Sequence, residues 1–291
     1  MELFRMIKKD ARAALRFCGG RAVASVMIVF LAYLAVNLTE AVLLFVFSGA
    51  ESLYSDFYSL AESSPEVLAI TAGAAVVYLL IMPALSLGHA KLHLAFAEGK
   101  DESISVLFDM FSSFKKFVGS AIFAVSCAIR YLVTFIAAIL PGAAFLYFAY
   151  SYIEAANRTL EILKIAACCV AIAIMILCTG LWLIFIQRWS LAPYYFAEGK
   201  GIQKSFGLSA KATKGMNTRI ISFKFSFIWW AVPSIFILPL LWSVPYYFLA
   251  NAIYSKYLME RYERFLAETP EISIPEEPVE PEEEPEATPD P

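Results

Sequence analysis

Two ionisable side chains stand inside long apolar runs, and any chemistry in this sequence is to be sought there first. Arg130 falls near the middle of the run Phe117–Leu140, and Glu40 falls within the run Ala22–Phe47, with Asn37 and Thr39 close by. A charge at membrane depth costs at least about 2.5–3.5 kcal/mol on insertion scales, so such residues are functional candidates by default. An Arg130–Glu40 pair is the sharpest expectation. Their estimated depths differ by about five residues, or roughly 7–8 Å of helix rise, which an arginine side chain can mostly cover. The pair would be a structural clasp that fixes register, or the floor of a polar cavity for an ion or headgroup. Asn37, Glu40 and Arg130 are therefore the candidate intramembrane polar site.

The other reactive side chains point to less. His89 and His93 are four residues apart and share a helix face, but metal binding needs a third ligand, and Glu98 or Asp101 would have to fold back to supply it. With only these two histidines, both at one helix end, no Ser/His/Asp arrangement can be assembled. Neither a Walker loop nor a GxGxxG segment occurs. The five cysteines, Cys18, Cys127, Cys168, Cys169 and Cys178, form no CxxC, and four of them lie in apolar runs as small buried side chains. Lys224, one turn inside the last apolar stretch, is expected to snorkel to the interface without a role. The lysines show no nucleic-acid pattern. No catalytic residue, cofactor or metal is expected, and the chain reads as a non-enzyme.

The elements that must position these residues are set by solvent. Apolar residues make up 60% of the chain and charged residues only 17%, where a soluble domain holds roughly 45–50% apolar. Five apolar runs meet or approach the roughly 20 residues that cross a hydrocarbon core: Ala22–Phe47, Val67–Leu87, Phe117–Leu140, Leu163–Ile186 and Ile220–Tyr254. The last is too long for one span and has basic flanks at both ends, so it divides near Leu238-Pro239 into two short helices, with a re-entrant hairpin as the alternative. The reading is an all-α, polytopic helical bundle with about six transmembrane helices. Pro141-Gly142 is expected to break the third span and leave 143–152 as an interfacial segment.

Charge fixes the orientation. Nineteen of the 23 Lys and Arg residues fall in 1–21, 89–116, 188–219 and 256–264, while 48–66 has four acids and no base. Basic and base-poor segments alternate at every crossing, as the positive-inside rule requires of a chain with both termini cytoplasmic. No cleavable signal is expected ahead of the first run, which would serve as an uncleaved anchor. Residues 1–20 form an amphipathic helix with Phe4, Ile7, Ala11, Ala14 and Cys18 on one stripe, suited to an anionic membrane surface and ended by Gly19-Gly20. Residues 21–266 are the transmembrane domain. The tail 267–291 repeats Pro and Glu, holds ten acids and no base, and is expected to be disordered; without it the net charge of −3 becomes +7.

The pentapeptide FAEGK occurs at Phe96–Lys100 and again at Phe196–Lys200, each time after the cytoplasmic end of a span. Gly99 and Gly199 are placed to end the preceding helix in a left-handed turn. Amphipathic cytoplasmic stretches come next: Ile104, Leu107, Phe111 and Phe114, with Asp101 as the expected cap, and then Ile202, Phe206 and Ala210 before Gly215. The pattern predicts two parallel halves related about the membrane normal.

The stretch RWSLAPYYFAEGKGIQKSFGLSAKATKG, the closing FKFSFIWWAVPSIFILPLLWSVPYYFLANAIYSKYL and the earlier LSLGHAKLHLAFAEGKDESISVLFDMF resemble the bacterial integral-membrane family catalogued as domain of unknown function 975. The elements that carry the likeness are Arg188, Ser190 to Tyr194, Glu198-Gly199, Ser205 to Gly215 and Leu241 to Tyr246. Thr179-Gly180-Leu181-Trp182 stands where a Pro-Gly is expected, and the acidic tail is an addition. The resemblance implies a bacterial cytoplasmic membrane and no established activity. The expected partners are the lipid bilayer and proteins that dock on the cytoplasmic helices or the acidic tail. Two functions fit: a non-enzymatic scaffold or assembly factor, or a transporter or channel-like protein with Glu40 and Arg130 along its path.

Overall fold

The computed structural model describes residues 2–48, 65–152, 158–231 and 237–268. The described residues form helices and short connections, without a strand. In chain order these are α1 (Glu2–Ser48), α2 (Pro65–Ala97), the 3₁₀ helix η1 (Ile104–Phe111), α3 (Phe114–Tyr152) and α4 (Arg158–Phe185). After these come the 3₁₀ turn η2 (Ile186–Trp189), α5 (Ala192–Ala197), α6 (Ile202–Ala212), α7 (Asn217–Phe225), α8 (Ile228–Ala231) and α9 (Ile237–Glu268). The expectations for the loop beyond Ser48 and for the acidic tail lie outside the described residues.

Among the described residues, four helices are long and apolar enough to cross a membrane: α1, α2, α3, and α4 with its continuation through α5. They are longer than a crossing needs. α1 has 47 residues, and a helix of that length is roughly 70 Å long, over twice a hydrocarbon core of about 30 Å. The surplus produces a two-layer molecule. In one layer α1 pairs with α2, and α3 with α4, and large apolar side chains face outwards (Phe47 65%, Val76 56%, Ile176 69% exposed). In the other, the base, parts of α1, α2, α3, α5, α6, α7 and α9 with η1 bury Leu92, Phe223 and Leu249 completely.

The α3–α4 pair shows where the layers meet. Trp182 Nε1 donates to Thr134 Oγ1 at 3.1 Å, and Lys164 lies over the Tyr150 ring at 4.5 Å. Tyr131 meets Trp189 with ring centroids 5.6 Å apart. α4 thus ends opposite Tyr131, and the opening turns of α3 lie beyond that level, in the base.

Several expectations change. Gly19-Gly20 does not end a separate surface helix; α1 runs through both. The predicted stripe is real, but Ile7, Ala11 and Cys18 are buried in the protein, against α7 and α9 rather than against lipid. The Phe4 ring packs edge-on against Phe223 at 5.3 Å and Tyr254 at 6.0 Å. This burial on both sides of the glycines outweighs their helix penalty of about 1 kcal/mol each. Pro141-Gly142 does not break α3 either, which continues to Tyr152. A break there would leave backbone groups unsatisfied in hydrocarbon. Gly142 instead allows close contact with α4: a Cβ on it would stand 2.4 Å from Met175 Cγ and 3.3 Å from the Ala171 carbonyl oxygen.

The expected six crossings are represented by four suitable helices among the described residues. Within 220–254 the chain breaks earlier than Leu238-Pro239. α7 ends at Phe225, and the helices that follow are described over Ile228–Ala231 and from Ile237 to Glu268.

Both FAEGK segments close their helices with one and the same hydrogen-bond pattern. Gly99 N–H donates to the Phe96 carbonyl and Lys100 N–H to Ala95; Gly199 N–H donates to Phe196 and Lys200 N–H to Tyr195. With φ of 76° and 86° at the two glycines, these are left-handed Schellman ends. Past the turns the two copies diverge. The first leads into 3₁₀ helix η1, capped by Ser103 rather than Asp101, because Asp101 is paired with Arg21. Phe114 belongs to α3 and is 82% exposed, so the first predicted stripe is cut short. The second copy leads into α6, with Phe206 buried as predicted.

Candidate functional site

The structure separates the residues of the expected intramembrane site. No ion pair joins Glu40 on α1 to Arg130 on α3 among the described residues, and Arg130 is held by α6. Asn37 donates from Nδ2 to the Tyr33 carbonyl at 2.8 Å, and Thr39 Oγ1 to Ala35 at 2.7 Å, both within their own helix. Glu40 lines an apolar groove of about 420 Å³ between α1 and α2, beside Val36, Gly73 and Val77. It forms no ion pair among the described residues. Arg130 donates to Gln203 Oε1 at 2.8 Å and to the Ser126 carbonyl at 3.0 Å, and its guanidinium lies 4.0 Å from the Phe206 ring centre. Since Gln203 and Phe206 belong to α6, Arg130 sits where α3 meets α6.

Lys224 does not snorkel freely: its Nζ donates to Gln187 Oε1 at 2.7 Å. His89 and His93 face one way as predicted, with ring centroids 4.2 Å apart. The acids that might have completed a metal site are engaged elsewhere, Glu98 with Lys100 at 2.6 Å and Asp101 with Arg21. No group of three His, Cys, Asp or Glu side chains gathers among the described residues.

Asp109 on η1 is the most connected carboxylate described. Its Oδ1 accepts from Lys116 Nζ at 2.9 Å and its Oδ2 from Lys91 Nζ at 2.7 Å, tying α3 and α2 to η1. These two hydrogen bonds, Lys116 first, hold its carboxyl below the ordinary range against a smaller opposing effect of burial. Gly88 permits the same junction: a Cβ there would stand 1.9 Å from the Leu107 carbonyl oxygen.

A family model described as Protein of unknown function (DUF975) matches residues 3–262, nearly the whole described chain. The chain belongs to this family. No curated protein and no solved structure matches it. In this DUF975 protein the segments that carried the resemblance come together in the base. Ser209 Oγ donates to the Arg188 carbonyl at 2.8 Å and accepts from the Leu191 N–H at 3.1 Å. Thr213 Oγ1 donates to the Ser209 carbonyl at 2.8 Å. The serine-bearing helix α6 is thereby laced to the end of η2. Asn251 on α9 donates to the Tyr194 hydroxyl at 3.1 Å. Burial, opposed by Lys200, raises the Glu198 carboxyl above its ordinary range, and Glu263 and Glu98 add to the rise.

Sequence reasoning missed Gln187, Gln203, Asn251 and Asp109 as junction residues. The available signal was an amide or acid within or beside an otherwise apolar run, but apart from Lys116, which is near Asp109 in the chain, the partners are 18 to 73 residues away, a distance that local periodicity does not span.

Proposed function

We propose that this DUF975 protein is a non-enzymatic scaffold of the bacterial cytoplasmic membrane, with both termini and the base on the cytoplasmic side. One observation carries the reading. Arg5, Lys9, Arg12 and Arg16 form an exposed row along α1 and take part in no ion pair among the described residues. The opposite face of the same helix is locked into the core. A rigid basic face held against the membrane surface suits the docking of acidic protein segments. The orientation is supported by the gathering of the basic segments in the base. The likeness of the two FAEGK turns supports a duplication, and the helix end at Phe225 supports a re-entrant hairpin within 220–254.

The transport reading draws on the groove at Glu40. Against it stands the separation of Glu40 from Arg130, whose guanidinium is engaged by α6. A photo-crosslinking residue in place of Arg12, in native membranes, tests the scaffold. A discrete protein adduct is expected, lost when Arg5, Lys9 and Arg16 become Glu. Adducts to lipid alone would overturn the reading, and reaction of Glu40→Cys with water-borne thiol reagents from both sides would favour transport.

A further inference from the structure

A cationic pocket opens where the end of α6 meets the end of α9. Its volume is about 240 Å³, and it is lined by Lys211, Ala212, Lys214, Arg261, Tyr262 and Phe265. Ala212 is buried and Tyr262 packs against the core of the base, so the pocket belongs to the rigid part of the molecule. Lys211, Lys214 and Arg261 are exposed, and none of them takes part in an ion pair among the described residues. No α1 residue lines the pocket, which is therefore separate from the basic row on that helix.

The neighbouring elements do not answer this charge. No carboxylate lines the pocket. Glu260 on the same helix is paired with Lys256 at 3.6 Å, and Glu263, two residues on from Arg261, points roughly 200° round the helix. The C-terminal end of α6 offsets only about half a charge. Three like charges on one rim repel one another, and an anion bound among them relieves that repulsion.

The complement is carried by the chain itself, a few residues away. α9 ends at Glu268, about 4.5 Å of helix rise past Phe265 and about 10 Å past Arg261. Residues 269–291 follow, outside the described residues. They carry Ile272 and Ile274, then seven glutamates within 276–286, and no base. The eight residues 269–276 can cover up to about 27 Å, more than a return to Arg261 requires. Attachment to α9 also holds the tail at an effective concentration on the order of mM, so contacts too weak to retain a separate peptide suffice here.

We infer that the tail segment 272–286 docks in this pocket, its isoleucines against Tyr262 and Phe265 and its glutamates on Lys211, Lys214 and Arg261. Docked, it covers the cationic end of the base. An acidic partner arriving there must first displace it.

The test uses the full chain in phosphatidylcholine nanodiscs, with a photo-crosslinking residue in place of Val279, an uncharged position among the tail glutamates. Isotope-labelled and unlabelled copies are mixed, so that links within one chain are told from links between chains. Photolysis is expected to join the tail to peptides holding Lys211–Lys214 and Tyr262–Phe265 of the same chain. The yield should fall about fivefold or more in salt of about 0.5 M, where charges are screened within a few Å. Changing the seven glutamates to Gln, or Lys211→Glu with Lys214→Glu, should lower it as far. The Gln variant leaves the described residues untouched, so its result stands even if the lysine variant fails to fold. Links chiefly to Arg5–Arg16 of α1, links between labelled and unlabelled chains, or a yield indifferent to salt and to the Gln change would overturn the inference. So would loss of the links on adding phosphatidylglycerol to the discs, which would give the pocket to the anionic leaflet.

Discussion

Ile176 and Leu249 are both apolar residues on long helices of one chain, yet one is 69% exposed and the other wholly buried. The base carries most of the lysines and arginines and the outer layer few, yet both hold apolar stretches, and these are organised by different rules. In the outer layer each helix pair presents large side chains outwards, and pairing rests on small contacts such as Gly142 against Met175. Where lipid is the solvent, little is gained by hiding an isoleucine from it. In the base the same residue types turn inwards around Phe223, Leu249 and Tyr254, and apolar burial contributes in the ordinary aqueous way, at about 25 cal/mol per Å². Hydropathy marks the apolar stretches of both layers; the direction of the side chains shows which of them are packed in protein.

The contrast is tested most severely at two glycines of α2. Gly88→Leu should cost at least about 3 kcal/mol, because its side chain would overlap the Leu107 carbonyl, whereas Gly73→Leu meets open space and should cost under about 1 kcal/mol. Thermal melting in detergent reads the difference, and equal losses would erase the distinction between layers. Leu249→Ala should rank next, with a loss of about 2–5 kcal/mol from a closed core, against a change near zero for Ile176→Ala. Smaller again is Asp109→Asn, at about 1 kcal/mol from its half-exposed lysine clamp. The wild-type base should lose stability as pH falls through and below the ordinary carboxylate range near 4, since Asp109 is held ionised in the fold more strongly than in the unfolded chain. The contribution is fully present above that range, and the Asn variant should lack this part of the acid limb. Smallest is Arg130→Lys, which loses the planar contact on Phe206 but can keep a hydrogen bond to Gln203; about 0.5–1 kcal/mol is expected. A loss of several kcal/mol would restore Arg130 to mid-membrane.

Much of this was legible in the sequence. The long apolar runs marked the helices, the i, i+4 histidines marked a shared face, and the EGK glycines marked two left-handed ends, because each signal is local. The stripe on residues 4–18 was legible as a face but not as a contact, since a helix face buried in protein and one laid on lipid have the same periodicity. The partners of Arg130 were illegible for a related reason: a run of apolar residues gives the extent of greasy helix and not the point where lipid ends and packed protein begins. Gln203 and Gln187 decide that point here, from α6 and η2.

The uninterrupted α1 has a mechanical consequence. It is a single stiff rod of 47 residues whose lower third is clamped between α7 and α9 while its upper part faces outwards. A rod so held works as a lever. If the upper part leans by about 10° to match a thinner bilayer, its far tip swings by roughly 6–8 Å over some 40 Å of helix. The torque falls on the clamped end, where the arginine row lies.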